Sequence, residues 1–182
     1  MAGVVPPSTC SSTPPAAPVG KVQPEQTAVR SGKVTEIVEA PTVISARAVT
    51  KKGLAAFASG ATSPVYWAGP SAGTTYELSR TKQGNTYVRY LGRGTKVGSA
   101  QPSETIGTYP VEHAFALTSA LARKAGSIRV PVSHGGIAFY NASHPTSVYL
   151  AYPGEDVQVE VYDPSPARAH TLVATGAIKQ VG

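Results

Sequence analysis

The sequence predicts an α+β fold: a mainly antiparallel β-sheet with one packed helix over about residues 108–125, preceded by an extended, proline-rich N-terminal arm. Three observations point to it. Runs that alternate apolar and polar residues, bounded by Gly, Pro and Asn, recur from Pro64 onward. A single stretch carries apolar residues at helical spacing between plausible helix ends. Every aromatic residue except Phe57 lies from Tyr66 onward, so the capacity to bury large surface belongs to the later part of the chain. These divide the 182 residues into an arm at 1–33, connecting strands and a short helix at 34–63, and a globular β-rich domain at 64–182.

Residues 1–20 carry no charge, and Pro6, Pro7, Pro14, Pro15 and Pro18 alternate with Ser, Thr and Ala. Proline fixes φ and removes a donor, so this composition favours polyproline II or disorder. At about 3.1 Å per residue, an arm of roughly 30 residues reaches on the order of 90 Å, enough to span a neighbouring subunit. Lys33 to Glu39 (KVTEIVE) and Thr42 to Val49 (TVISARAV) read as two strands separated by Ala40-Pro41, and Lys51 to Ser59 as a short helix.

In the domain, Pro64 to Trp67 is a short apolar strand, and Thr75 to Leu91 is a hairpin turning at Gly84-Asn85. Tyr76 and Leu78 share one face of its first strand, and Val88 and Tyr90 one face of its second. For the helix, Thr108 serves as N-cap, Pro110 suits the first turn, Glu112 favours the positive end, and Arg123 and Lys124 precede Gly126. Val111, Ala114, Phe115, Thr118, Leu121, Ala122 and Ala125 form its packing stripe. Four further strands are expected at Ser127 to Val132, Gly136 to Tyr140, Ser147 to Tyr152 and Val157 to Tyr162, the last half-buried, with a final short run at Thr171 to Ile178.

Charged residues make up only 14% of the chain, while Gly and Pro number 18 and 16. Such a surface relies on Ser, Thr, Asn and Gln, a flavour common in secreted, envelope and virion proteins. The net charge of +6 is spread over both parts, which argues against nucleic acid as the partner. The lone Cys10 excludes an intrachain disulfide. No stretch approaches the ~20 apolar residues of a membrane span, and the N-terminus lacks the pattern of a signal peptide.

Pro64-Val65-Tyr66-Trp67-Ala68-Gly69-Pro70, Tyr76-Glu77-Leu78, Tyr87-Val88-Arg89-Tyr90-Leu91 and Ile106-Gly107-Thr108-Tyr109-Pro110 together resemble an uncharacterised domain family of actinobacterial envelope proteins. The likeness runs from about Leu54 to Gly182. It implies an extracytoplasmic origin and no established chemistry. Gly92-Arg93-Gly94 stands where the family pattern has a proline-containing turn, and the proline-rich arm stands where it has a membrane anchor. Those departures suggest reuse of the domain, for instance in a phage virion.

Gly69-Pro70-Ser71-Ala72-Gly73 matches G-x-S-x-G, with Asp163 and His170 following in the order α/β hydrolases use. The serine must then be followed by a helix, whereas Thr74 to Leu78 reads as a strand. Gly92 to Lys96 lacks the G-K-[ST] ending of a phosphate loop. His113, His134, His144 and His170 accompany no metal-binding spacing. Ser133-His134-Gly135-Gly136 is a Gly-rich turn, the adjacent Glu155 and Asp156 diverge too far for a working pair, and Asn141-Ala142-Ser143 is a sequon. Arg80, Lys82, Arg89, Arg93 and Lys96 cluster in sequence around the hairpin, interleaved with Tyr76, Tyr87 and Tyr90. Arg80, Lys82, Arg89, Tyr90, Arg93 and Lys96 are therefore the candidate contact surface.

The expectation is a non-enzymatic structural or assembly protein without metal or cofactor. Its arm would anchor it to protein partners in a virion or at the cell envelope, as a homo-oligomer or lattice. Alternatives are an extracytoplasmic binding module for an anionic envelope polymer and a small serine hydrolase.

Overall fold

The computed structural model describes residues 43–182. The prolines of the arm, Cys10 and the strand expected at Lys33 to Glu39 lie outside the described residues. Eight strands form one sheet: β1 (Val43–Val49), β3 (Thr75–Thr81), β4 (Thr86–Leu91), β5 (Thr105–Pro110), β6 (Ser127–Val130), β7 (Ile137–Asn141), β8 (His144–Ala151) and β9 (Val157–Tyr162). Their order is β1-β3-β4-β5-β9-β8-β7-β6, and every neighbouring pair is antiparallel. Two short strands, β2 (Tyr66–Trp67) and β10 (Lys179–Gln180), pair separately. The helices are α1 (Lys51–Ser59), α2 (Ala114–Leu121) and α3 (Pro166–Ala174).

Register decides which side chains share a face. In the hairpin Tyr76 lies opposite Tyr90 and Leu78 opposite Val88, and the connection turns at Gly84 with φ of 87°. Following the same parity outward, Ile106, Val159, Val161, Val148 and Leu150 join these on the first face. They form one apolar cluster with Trp67 of β2, Leu54 of α1, and Ala169, Leu172 and Val173 of α3. The second face carries Glu77, Arg89, Tyr87, Tyr109, Gln158, Glu160, Ser147 and Tyr149. There α2 lies over β7, β8 and β9, with Gln158 Nε2 donating to Thr118 Oγ1 at 2.9 Å. Helices α2 and α3 thus pack on opposite faces of the β8–β9 region.

Three sequence expectations change. The helix foreseen over 108–125 is shorter, because Thr105 to Pro110 is needed as the strand between β4 and β9. Thr108 does not cap it; its hydroxyl accepts the Tyr66 backbone N–H. The helix opens instead at His113, which has φ of 57° and whose backbone N–H donates to Asp156 Oδ1. Second, Thr171 to Ile178 opens on the last four residues of α3, not a strand. Asp163 Oδ1 accepts the Ser165 N–H, Pro166 opens the helix, and Ala169, Leu172 and Val173 give it a buried stripe at helical spacing. There are accordingly three helices among the described residues, one more than the two expected at Lys51 to Ser59 and 108–125. Third, β9 is buried on both faces, since Gln158 and Glu160 are 4% and 2% exposed.

The folded unit also reaches back before Pro64. Strand β1 pairs with β3 along its length, and Thr50 Oγ1 accepts the Gly53 N–H to start α1. Leu54 is fully buried in the shared cluster. Truncating such a side chain removes its transfer free energy and leaves a cavity, so Leu54→Ala is expected to lower stability by about 3 kcal/mol in urea unfolding. A loss under about 0.5 kcal/mol would show that α1 is peripheral to the core.

Candidate functional site

The polar side chains on the second face form two connected groups. At the centre, Glu160 stands opposite Gly107 across the β5–β9 pair. Tyr109, two residues on from Gly107, lies back along its own strand and donates its hydroxyl to Glu160 Oε2. Only glycine permits this, because a Cβ at position 107 would sit 2.6 Å from the Tyr109 hydroxyl. Ser147 Oγ donates to Glu160 Oε1 at 2.8 Å, and the Tyr149 hydroxyl lies 3.5 Å from the same oxygen. The Tyr87 ring meets Tyr109 edge-on at 5.8 Å.

Burial raises the Glu160 carboxyl above its ordinary range, and the three hydroxyls acting together lower it only in part. The Tyr109 hydroxyl is also held far above its usual value, chiefly by burial and then by the neighbouring Glu160 charge. Burial likewise pushes Tyr87 up to about 12.

The second group organises the connection between β4 and β5, residues 92–104. Arg89 Nη1 reaches Glu77 Oε1 at 2.8 Å, a cross-strand pair in which the Glu77 side chain is only 4% exposed. The other arm of the guanidinium donates to the carbonyls of Ser99 and Gln101, each at 3.0 Å. Glu77 Oε2 accepts the Gly98 N–H at 2.7 Å. At the far end of the connection, Arg168 of α3 pairs with Glu104 at 3.1 Å. Burial raises the Glu104 carboxyl, and Arg168 opposes that shift. Both long-range ion pairs found among the described residues therefore hold this one connection.

The structure disperses the candidate contact surface. Arg89 is committed to Glu77 and two carbonyls. Tyr90 is buried, its hydroxyl accepting the Ala68 N–H and donating to the Gly69 carbonyl. Lys82 lies at the hairpin turn, with half-buried Arg80 beside it against Thr86, Thr108 and Pro110. Arg93 and Lys96 are exposed beyond the opposite end of β4. Six residues of strand separate the two places, roughly 20 Å at ~3.3 Å per residue.

The other motifs resolve into local contacts. Ser71 Oγ accepts from Thr74, Asp163 holds the start of α3, and His170 stacks on Tyr140 with a ring nitrogen 3.0 Å from the Pro145 carbonyl. The three residues in hydrolase order thus have three separate sets of partners. Glu155 accepts from Tyr66 and Gln180 while Asp156 turns to His113, so the two carboxylates do diverge. His134 and Gly135, with φ of 56° and 69°, form the turn before β7, closed by Gly136 N–H to the Ser133 carbonyl. Among the described residues no group of three or more His, Cys, Asp or Glu side chains is placed to hold a metal ion, and no helix is long and apolar enough to cross a membrane. No protein-family model, curated protein or solved structure matches the chain.

Two outcomes follow from this geometry. Because the folded state raises the Glu160 carboxyl, the native protein retains a proton that the unfolded chain has released, so stability falls as pH rises from about 4.5. Urea midpoints measured from pH 4.5 to 8 are expected to decline less steeply in Glu160→Gln than in wild type; equal slopes would contradict the assignment. Removing Arg89 strands a buried carboxylate, so Arg89→Ala should cost about 3 kcal/mol, and Arg89→Ala/Glu77→Ala should recover part of it. A double variant as unstable as the sum of the singles would show that the pair is not coupled.

Proposed function

We propose that the chain is a non-enzymatic structural or assembly protein whose globular part displays a preformed surface element and whose N-terminal segment tethers it to a repeating assembly. The observation that carries this reading is the use made of the buried and half-buried ionic side chains. Glu77, Arg89 and Glu104 all hold the 92–104 connection in place, and Glu160 is occupied in joining the sheet. Buried charge is costly unless it is paired and hydrogen-bonded, so its use to immobilise a surface connection favours display over turnover.

The sequence supplies the tether: residues 1–20 hold five prolines, Pro6, Pro7, Pro14, Pro15 and Pro18, and no charge. A virion shell or tail, or a layer of the cell envelope, is the kind of repeating surface that suits such a chain. The low charge content and the resemblance to envelope domains support the same surroundings.

Analytical ultracentrifugation tests the tether. The full chain is expected to self-associate, whereas a variant lacking residues 1–32 stays monomeric with an unchanged melting temperature. Equal association of the truncated protein would overturn the proposal.

A further inference from the structure

The geometry points to the tip of the 92–104 connection, carrying Arg93, Lys96 and Val97, as a contact site for a linear polyanion bearing phosphate or carboxylate groups. Three independent features converge there. The later part of the connection is held by two ion pairs: Arg89–Glu77 grips Gly98, Ser99 and Gln101, and Arg168 holds Glu104. From the end of β4 to that anchor it is folded by its own turns, Thr95 N–H to the Gly92 carbonyl and Ser99 N–H to the Lys96 carbonyl. The tip therefore loses little freedom when a partner arrives.

Its charge is of one sign. Residues 92–103 contain Arg93 and Lys96 and no acidic residue, and both cations are exposed. A Cβ built at Gly92 or Gly94 meets nothing within 4 Å, so there is open space beside the backbone that flanks Arg93. An extended chain can then approach closely. The guanidinium of Arg93 suits phosphate or carboxylate oxygens in a two-pronged bond, and Lys96 adds a point charge.

The apolar content argues for a polymer over a lipid surface. Val97, 38% exposed, is the one large apolar side chain in 92–103, and the stretch lacks the Trp, Phe or Leu that anchor membrane-surface elements. Two cations bind weakly alone, and repetition across an assembly multiplies the effect. In this geometry Arg89 is a positioning residue and touches no partner. The inference deepens the display reading above and rests on it only for that multiplication.

Retention of the full chain on immobilised inorganic polyphosphate, measured against salt, tests it. Arg93→Ala/Lys96→Ala should reduce the slope of log affinity against log salt by roughly 1.4, about 0.7 for each lost contact. Lys51→Ala/Lys52→Ala removes the same charge from exposed positions on α1 and should change retention less than twofold. Equal losses from the two double variants would overturn the proposal, since net charge alone would then explain binding. Preferential binding to phosphatidylglycerol vesicles with loss on Val97→Ala would also overturn it, in favour of a membrane contact. Because association is read separately by ultracentrifugation, a monomeric full chain that still binds through Arg93 and Lys96 would sink the assembly reading and leave this one standing.

Discussion

The pairing of β5 with β9 is the contact on which the rest of the molecule depends. On one side of it lie β1, β3 and β4, and on the other β8, β7 and β6, so the eight-stranded sheet is two groups of strands joined at a single seam. Six residue pairs make that seam, from Thr105 opposite Tyr162 to Pro110 opposite Val157. Its first face is apolar, with Ile106 against Val161. Its second face is polar, with Tyr109 laid over Gly107 onto Glu160. Asp156 extends it past the strand ends, its carbonyl accepting the Val111 N–H and its carboxylate the His113 N–H. The chain then passes through α2, which returns over β9 through the Thr118–Gln158 bond.

The two halves are also tied through the 92–104 connection. That connection belongs to the first half by sequence and by the Arg89–Glu77 pair, while Glu104 reaches Arg168 on α3 of the second half. The two ties differ in weight. The Arg168 side chain is 53% exposed, and a pair so placed contributes at most about 1 kcal/mol. Glu77 is almost fully enclosed, and its two oxygens meet a guanidinium and a backbone N–H. Orientation of the tip therefore rests mainly on the hairpin.

Much of the sheet was legible because alternation and turn residues act locally. The hairpin, β9 and α1 fall where the pattern places them, and the β-rich α+β class holds. The errors arise where a local signal has two readings. Thr108 and Pro110 look like a helix start, yet the neighbours that make Thr108 a strand residue, Thr86 and Val159, are remote in sequence. The β-branched Thr171 and Val173 suggested a strand, and the Asp163-Pro164-Ser165-Pro166 run that starts a helix was the stronger signal. For the site, closeness in sequence does not carry over into space, because strand β4 places Lys82 and Arg93 at its opposite ends. The role of Arg89 was within reach: placing Tyr76 opposite Tyr90 sets Glu77 opposite Arg89, an opposite-charge pair on one face.

The polar second face also bears on why this arrangement, and no close alternative, forms. An apolar strand such as β9, with valine at 157, 159 and 161, tolerates other partners well on its first face. A slip of one residue at the seam would turn every side chain of β9 to the opposite face. Glu160 would then enter the valine cluster without Tyr109 or Ser147, and an unpaired carboxyl in such surroundings costs several kcal/mol. The raised Glu160 carboxyl means that its burial adds little to the stability of the correct pairing at neutral pH. Its effect is on the competing registers, which lack the three hydroxyls. By holding β5 and β9 in one register, this polar group fixes where β4 ends relative to α3, and hence where the cationic tip stands.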